Sequence, residues 1–368
     1  MQVAGIRSRY ATVFTKSNLR LAKPYRAMSS SSSPSSSSYR DSESQTFTLP
    51  DGRTLGYAEY GPSNGYPLFY FHGFPSSRIE AFPLDKVAHH RRIRVIALDR
   101  PGFGLSTFQP HRQFLDWPKD VAAFAQAKGV EKFSVLGASG GGPYAIACAK
   151  ALPRHMMTSV GVFAGGPPWV AGRQHMPWFS RFSERLVNFS PTIFAGLARV
   201  IVSVFDWFVN LGPIKRRLDR VLENLRQKEQ EKEKDKPEGE KLGMVGNEEY
   251  TAEQRRDRLL RLLYREPFVQ GVAGFVHETK LLSDKSWGFE FEEVRYGPIR
   301  IWHGAKDYNA PIQMIRYMVD KLPNAVLTEF DGSHFTIANH IPGALLELIP
   351  EEEIKRHEEE MAEKSRNG

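Results

Sequence analysis

The sequence is poor in residues that cross-link a chain or hold a metal ion. It contains one cysteine, Cys148, which excludes an intramolecular disulfide. Because Cys148 lies in an apolar, Ala-rich segment, we interpret it as a small core residue rather than a nucleophile. The eleven histidines are scattered along the chain, and only His89 and His90 are adjacent. We therefore predict no metal site, and no motif implies an organic cofactor.

Acidic residues are absent from residues 1–40, which contain seven arginines and lysines. The whole chain has a net charge of +8, so the remainder carries only +1, and we do not expect it to bind nucleic acid. Residues 1–45 are rich in serine and lack the continuous apolar segment of a secretory signal. This composition is typical of an organelle transit peptide. We predict a disordered, targeting-like extension and a mitochondrial location. The alternative is a cytoplasmic protein whose N-terminal tail carries no targeting signal.

Residues 46–166 and 297–350 alternate strand-like apolar runs with helical patterns. The runs at 67–71 and 93–98 are continuously apolar, which indicates parallel strands buried on both faces. Before them, two segments in which apolar and polar residues alternate flank a turn at residues 50–52. This pattern predicts an antiparallel hairpin. The fold class is therefore α/β, with a mostly parallel sheet flanked by helices.

The alternation of strand-like and helical patterns is missing between residues 167 and 296, where we predict a helical lid inserted after the sixth strand. Its first part is aromatic and apolar, and we interpret the charged stretch at about 213–249 as flexible. A membrane span at 193–212 is the alternative, but Arg199 and Asp206 would lie in the hydrocarbon. We therefore expect a soluble lid that at most contacts the surface of a membrane. Residues 351–368 form a C-terminal tail, which we predict to be a frayed helix.

The most informative stretch is Gly137-Ala138-Ser139-Gly140-Gly141. An apolar run precedes it and an Ala-rich helical segment follows, so Ser139 lies at a strand-to-helix corner. That corner is the context a G-x-S-x-G motif requires, because Gly137 and Gly141 let strand and helix approach closely. We therefore predict that Ser139 is a nucleophile.

A serine nucleophile needs a base and an acid that orients the base. Asp307 follows the apolar strand at 299–302, and His334 follows the next strand, at 325–330. Active sites of open parallel sheets lie at the carboxyl ends of strands, so both side chains are candidates. Asp284, Asp320 and Asp331 compete less well: the first lies in the insertion, the second on a predicted surface helix, and the third in a tight turn with His334.

Upstream, His72-Gly73-Phe74-Pro75 follows the strand at 67–71. Backbone N–H groups of Phe74 and Gly140 would form an oxyanion hole for a tetrahedral intermediate. His72 precedes the nucleophile, and we expect it to shape this loop together with Gly73 rather than to act as a base.

Together these motifs resemble the α/β-hydrolase fold superfamily over about residues 47–348. The order Ser139, Asp307, His334 is the order of the family's triad, and the segment from Asp99 to Ser106 resembles its loop after the following strand. The resemblance implies a serine hydrolase that cleaves a carboxylic ester or related acyl compound. The aromatic lid indicates a small-molecule substrate with an apolar acyl or alcohol group. Thioesterase, peptidase, carbon–carbon hydrolase and haloperoxidase-like activities remain open, as does a non-catalytic binding protein.

Overall fold

The computed structural model describes residues 41–234 and 250–367. Most of the predicted extension, residues 1–40, and the second part of the charged stretch, residues 235–249, lie outside the described residues. Mitochondrial targeting therefore stays a prediction.

The described residues form a single mostly parallel sheet of eight strands in the order β1-β2-β4-β3-β5-β6-β7-β8. The predicted hairpin is confirmed, because β1 pairs antiparallel with β2 and β2 pairs antiparallel with β4. The remaining pairs are parallel. The strands are β1 (Gln45–Thr48), β2 (Thr54–Tyr60), β3 (Tyr66–Phe71), β4 (Ile93–Leu98), β5 (Phe133–Ala138), β6 (Met157–Phe163), β7 (Ile299–Gly304) and β8 (Ala325–Phe330).

The core lies between the central strands and the helices that flank them. Every side chain of β3 is buried, as its continuous apolar composition predicts. Phe69 of β3 stacks on Phe133 of β5 with ring centroids 4.4 Å apart, and Cys148 is fully buried. The helices are α1 (Asp85–Arg91), α2 (Trp117–Ala127), α3 (Gly142–Ala151), α4 (Trp178–Phe189), α5 (Pro191–Val209), α6 (Gly212–Glu233), α7 (Ala252–Leu260), α8 (Ala273–Leu282), α9 (Ile312–Lys321), α10 (Ile341–Leu348) and α11 (Glu351–Asn367).

The parallel register brings the loops after four strands to one edge of the sheet. The last residue of β3, Phe71, is level with Gly137 of β5, and Gly304 of β7 is level with Phe330 of β8. The chain therefore leaves these strands at neighbouring positions on the carboxyl edge, where ligand sites of such sheets form.

Helices α4 to α8 lie in the chain between β6 and β7. Their action as a lid stays a prediction. One expectation is wrong in part, because residues 213–233 of the stretch expected to be flexible belong to α6. Pro213 is favourable in the first turn, and good helix formers with ion pairs such as Arg226 to Glu223 support the rest. At the start of α7, Thr251 and Gln254 form the predicted capping box.

The C-terminal helix α11 also differs from the expected frayed tail. Ile354 is buried, and Arg92 donates to Glu358 at 2.7 Å. This anchoring keeps α11 on the body of the domain.

Candidate active site

Ser139 lies directly after β5 and before α3, with a φ of 48°. A non-glycine residue in this left-handed region costs about 1–3 kcal/mol and persists only where its surroundings impose it. Close packing imposes it here. A Cβ on Gly137 would clash with the carbonyl oxygen of Gly141, and a Cβ on Gly141 would clash with that of Phe71. The two glycines therefore let the turn project Ser139 from the sheet edge.

The structure brings Ser139, His334 and Asp307 together through two hydrogen bonds. His334 Nε2 lies 3.0 Å from Ser139 Oγ, and His334 Nδ1 lies 2.6 Å from Asp307 Oδ2. An Nδ1–H that donates to the carboxylate leaves Nε2 as an acceptor for the serine O–H. The competing Asp331 is exposed and pairs with Lys306 at 2.6 Å.

Asp307 is fixed from both of its oxygens. Its Oδ1 accepts the backbone N–H groups of Asn309 and Ala310, each at 2.8 Å, which leaves Oδ2 for His334. Hydrogen bonds to a buried carboxylate are stronger than those between neutral groups, so this arrangement sets the direction of the acid.

A second histidine next to Asp307 was missed by the sequence analysis. His303 Nε2 lies 3.3 Å from Asp307 Oδ2 and donates to the carbonyl of Ala310 at 2.7 Å. Burial lowers the pKa of His303, so it stays neutral near pH 7. The residue lies within β7, and only its spacing of four from Asp307 could have marked it.

The loop after β3 lies against Gly140. A Cβ on Gly140 would be 2.6 Å from Phe74 Cβ and 3.1 Å from Phe74 N, so the backbone of Phe74 adjoins the turn at Ser139. Within residues 41–234 and 250–367, no acceptor takes the N–H of Phe74. The N–H of Gly73, in contrast, donates to Glu80 at 2.8 Å. Phe74 thus presents a free donor beside the serine.

His72 holds this loop in place. Its Nδ1 donates to the carbonyl of Gly73 at 2.8 Å, and its Nε2 accepts the N–H of Arg100 at 3.1 Å. Burial, with the charge of Arg100 as the next cause, lowers the pKa of His72 well below its usual value. A neutral imidazole with both nitrogens occupied has no lone pair to offer a substrate.

A buried charge network lies behind the loop. Arg100 donates to the carbonyls of His72 and Gly73 and to Glu278 Oε1, the last at 2.9 Å. Glu278 lies on α8 and also accepts from Arg112 and from Tyr144, the latter at 2.6 Å. Burial raises the pKa of Glu278, but Arg112 and Arg100 outweigh it and lower the value overall. A carboxylate in the insertion thus fixes the arginine that supports the loop.

Among the residues that the structure describes, no group of three or more His, Cys, Asp or Glu side chains could hold a metal ion.

The chain matches a family model described as alpha/beta hydrolase fold over residues 66–340. The chain belongs to the α/β-hydrolase family. A curated relative, the non-heme chloroperoxidase of Streptomyces lividans, is 33% identical over 127 residues, which cover 34% of this chain and 46% of the relative. The matched segment thus spans less than half of that relative's length.

Solved structures of a hydrolase and an esterase have a similar fold. A hydrolase from Pseudomonas aeruginosa PA01 is 15% identical with a TM-score of 0.52, covering 83% of this chain and 98% of its own. An esterase from Exiguobacterium antarcticum is also 15% identical, with a TM-score of 0.51 and coverage of 83% and 98%. At such identities the likeness concerns the fold.

Proposed function

We propose that the protein is a serine hydrolase that cleaves a carboxylic ester or a related acyl compound. The observation that carries the proposal is the pair of hydrogen bonds that runs from Ser139 through His334 to Asp307. The free N–H of Phe74 beside Gly140 supports it.

Acylation begins when Ser139 Oγ attacks the carbonyl carbon of the substrate and His334 Nε2 takes its proton. Asp307 holds the imidazole through Nδ1–H and stabilises the imidazolium. The negative oxygen of the tetrahedral intermediate accepts hydrogen bonds from the backbone N–H groups of Phe74 and Gly140. When the intermediate collapses, His334 protonates the leaving alcohol, and the acyl group stays on Ser139.

Deacylation repeats these steps with water as the nucleophile. His334 Nε2 removes a proton from the water as its oxygen attacks the acyl carbon. The second oxyanion accepts hydrogen bonds from the same two backbone N–H groups. Its collapse returns the proton to Ser139 and releases the carboxylic acid.

Aromatic side chains around the triad favour an apolar acyl or alcohol group. Tyr308 and Phe335 directly follow Asp307 and His334, and both are exposed. Phe74 stacks on Phe275 of α8 with ring centroids 5.2 Å apart and nearly parallel planes. The parts of a bound substrate that extend beyond the two oxyanion donors would therefore contact aromatic side chains.

Reaction with a fluorophosphonate tests the nucleophile. We expect covalent labelling of the protein, loss of labelling in Ser139→Ala, and retention in Ser333→Ala, a nearby serine beside His334. Labelling that persists in Ser139→Ala would overturn the assignment. Hydrolysis of p-nitrophenyl esters of increasing chain length, with thioester and peptide substrates alongside, then identifies the bond cleaved. Turnover of none of them, together with no fluorophosphonate labelling, would favour a non-catalytic binding protein.

The chloroperoxidase relative supports a second candidate. If hydrogen peroxide replaces water in deacylation, the acyl-enzyme yields a peracid and free Ser139, and the peracid can oxidise a halide to hypohalite. Peroxide-dependent halogenation that Ser139→Ala abolishes would favour this activity. Ester hydrolysis without peroxide-dependent halogenation would exclude it.

A further inference from the structure

Helix α5 has an unusual distribution of side chains around its axis. Among the described residues it is the one helix that is long and apolar enough to cross a membrane. Six exposed apolar side chains recur at intervals of three, four or one residue and so lie on one side of the helix. They are Ile193, Leu197, Val200, Ile201, Val204 and Phe208. We call this surface the apolar face.

A second side of α5 is packed against the domain. Phe194, Ala198 and Val209 are buried. Phe194 stacks on Phe275 with ring centroids 5.6 Å apart, and Phe275 stacks on Phe74 of the oxyanion loop. A helix that crossed a bilayer would have to break this stack, so α5 lies along the domain with its apolar face outward.

The polar residues of α5 lie on a third side. Arg199, Ser203 and Asp206 are spaced three or four residues apart, and Asp206 accepts from Tyr264 at 2.6 Å. The apolar face therefore borders a polar strip, which is the pattern of a helix at a lipid–water boundary.

Helix α4 adds aromatic side chains beside α5. Trp178, Phe182 and Phe189 are exposed and lie at positions i, i+4 and i+11, so they share one side of α4. Arg185, at i+7, lies in the same stripe. Phe179 meets Tyr308, the residue after Asp307, with ring centroids 6.4 Å apart. The aromatic surface of α4 thus reaches the neighbourhood of the triad.

The charge of this region is strongly positive. Residues 178–220 contain seven arginines and lysines and three acids, a net charge of +4, whereas the chain beyond residue 40 carries only +1. Arg216, Arg217 and Arg220 follow α5 at the start of α6 and are exposed. They take part in no ion pair within the part of the chain that the structure describes. Basic residues beside an apolar helix attract anionic lipid headgroups.

We propose that α5, with the aromatic stripe of α4 beside it, docks the protein on the surface of an anionic lipid bilayer. The helix lies in the plane of the interface, its apolar face enters the headgroup boundary, and the arginines of α6 contact lipid phosphates. A second copy of the chain fits this surface less well, because a symmetric contact would place two net positive regions against each other. Docking would present the mouth of the site near Tyr308 to the membrane.

Flotation of the full chain with vesicles tests the proposal. We expect strong binding to vesicles of phosphatidylcholine mixed with phosphatidylglycerol, and weak binding to phosphatidylcholine alone. Val200→Glu combined with Val204→Glu should weaken binding by about tenfold or more, because two charges enter the apolar face. Arg216→Glu combined with Arg217→Glu should weaken it similarly on the anionic vesicles only. Met361→Glu, an exposed apolar position on α11, is the matched control and should bind normally.

The same variants separate docking from catalysis. Flotation needs no turnover, so its outcome is independent of the proposed function, and hydrolysis of a water-soluble p-nitrophenyl ester should be equal in all of them. The proposal is overturned if the protein floats with neither vesicle type. It is also overturned if light scattering shows a dimer that Val200→Glu with Val204→Glu dissociates while flotation is unchanged, because a second copy would then cover the apolar face.

Discussion

At the scale of single residues, the site depends on groups that the chain holds in one orientation. One carboxylate oxygen of Asp307 accepts two backbone N–H hydrogen bonds, and the other is hydrogen-bonded to His334. Ser139 is held at positive φ by glycines that have no room for a side chain. Each of these features gives a separate prediction.

Asp307→Asn should keep the geometry but lose the charge that stabilises the imidazolium and fixes its tautomer. We expect kcat to fall by about 10⁴-fold, as in other triads, with little change in KM. Steady-state hydrolysis of the preferred p-nitrophenyl ester measures both constants. Asp331→Asn is the matched control, since this acid is exposed and pairs with Lys306, and its kcat should be unchanged. Equal effects of the two substitutions would contradict the assignment of the acid.

Gly141→Ala should destabilise the fold, because its Cβ would clash with the backbone oxygen of Phe71, which cannot move away as a flexible side chain could. We expect a loss of at least about 2 kcal/mol in the free energy of unfolding. Gly343→Ala is the control: no atom lies within 4 Å of its Cβ. In helix α10 that change should stabilise by up to about 1 kcal/mol. Urea unfolding midpoints compare the two, and equal midpoints would refute the packing argument.

At the scale of elements, α8 supports the loop after β3 through charge. Glu278 on α8 pairs with Arg100, and Arg100 binds the carbonyls of His72 and Gly73. The insertion therefore contributes to the loop beside Ser139 as well as to the surface of the protein.

Glu278→Gln should leave two buried arginines without a counter-charge. We expect a loss of about 3–5 kcal/mol in the free energy of unfolding. We also expect a lower kcat at nearly constant KM in the protein that remains folded, because the donors in the loop lose their alignment. Glu358→Gln, which removes an exposed pair with Arg92, should cost at most about 1 kcal/mol and leave kcat unchanged. A normal kcat in folded Glu278→Gln would limit the network to a structural role.

How far the sequence could predict these elements depends on how local their signals are. The parallel strands and the turn at Ser139 follow from apolar runs and glycines within a few residues of each other. The contact between Arg100 and Glu278 joins residues 178 positions apart, and no local pattern indicates it. Helix α6 was mistaken in part for a flexible segment because its charge density conceals the ion pairs, such as Arg256 to Asp219, that join it to α7.

At the scale of the whole molecule, buried neutral histidines link stability to pH. Burial is the leading cause that lowers the pKa of His72, His277 and His303. In the unfolded chain the same groups titrate near 6.5. Below that pH the unfolded state binds more protons, so the stabilisation is fully present above 6.5 and is lost as the pH falls toward the folded-state values.

We expect the free energy of unfolding to decrease between pH 7.5 and 5.5. Each histidine contributes a slope of up to about 1.4 kcal/mol per pH unit below 6.5. Urea titrations across this range measure the slope. His303→Asn should make it shallower whatever the variant does to stability at pH 7.5, whereas Lys119→Met, an exposed substitution that removes no histidine, should leave the slope between pH 7.5 and 5.5 unchanged. A slope of zero or of opposite sign, unchanged in His303→Asn, would contradict the view that burial of neutral histidines sets this pH dependence.

The position of the insertion between β6 and β7 has a consequence for synthesis of the chain. Strand β6 pairs with β7, yet α4 to α8 must leave the ribosome before β7 appears. At ordinary translation rates this takes on the order of ten seconds, during which the backbone N–H and C=O groups on this edge of β6 have no strand partner. Unpaired edges of this kind recruit other strands. The nascent chain is therefore most prone to aggregate after β6 and before β7, and a chaperone would act most usefully in that interval.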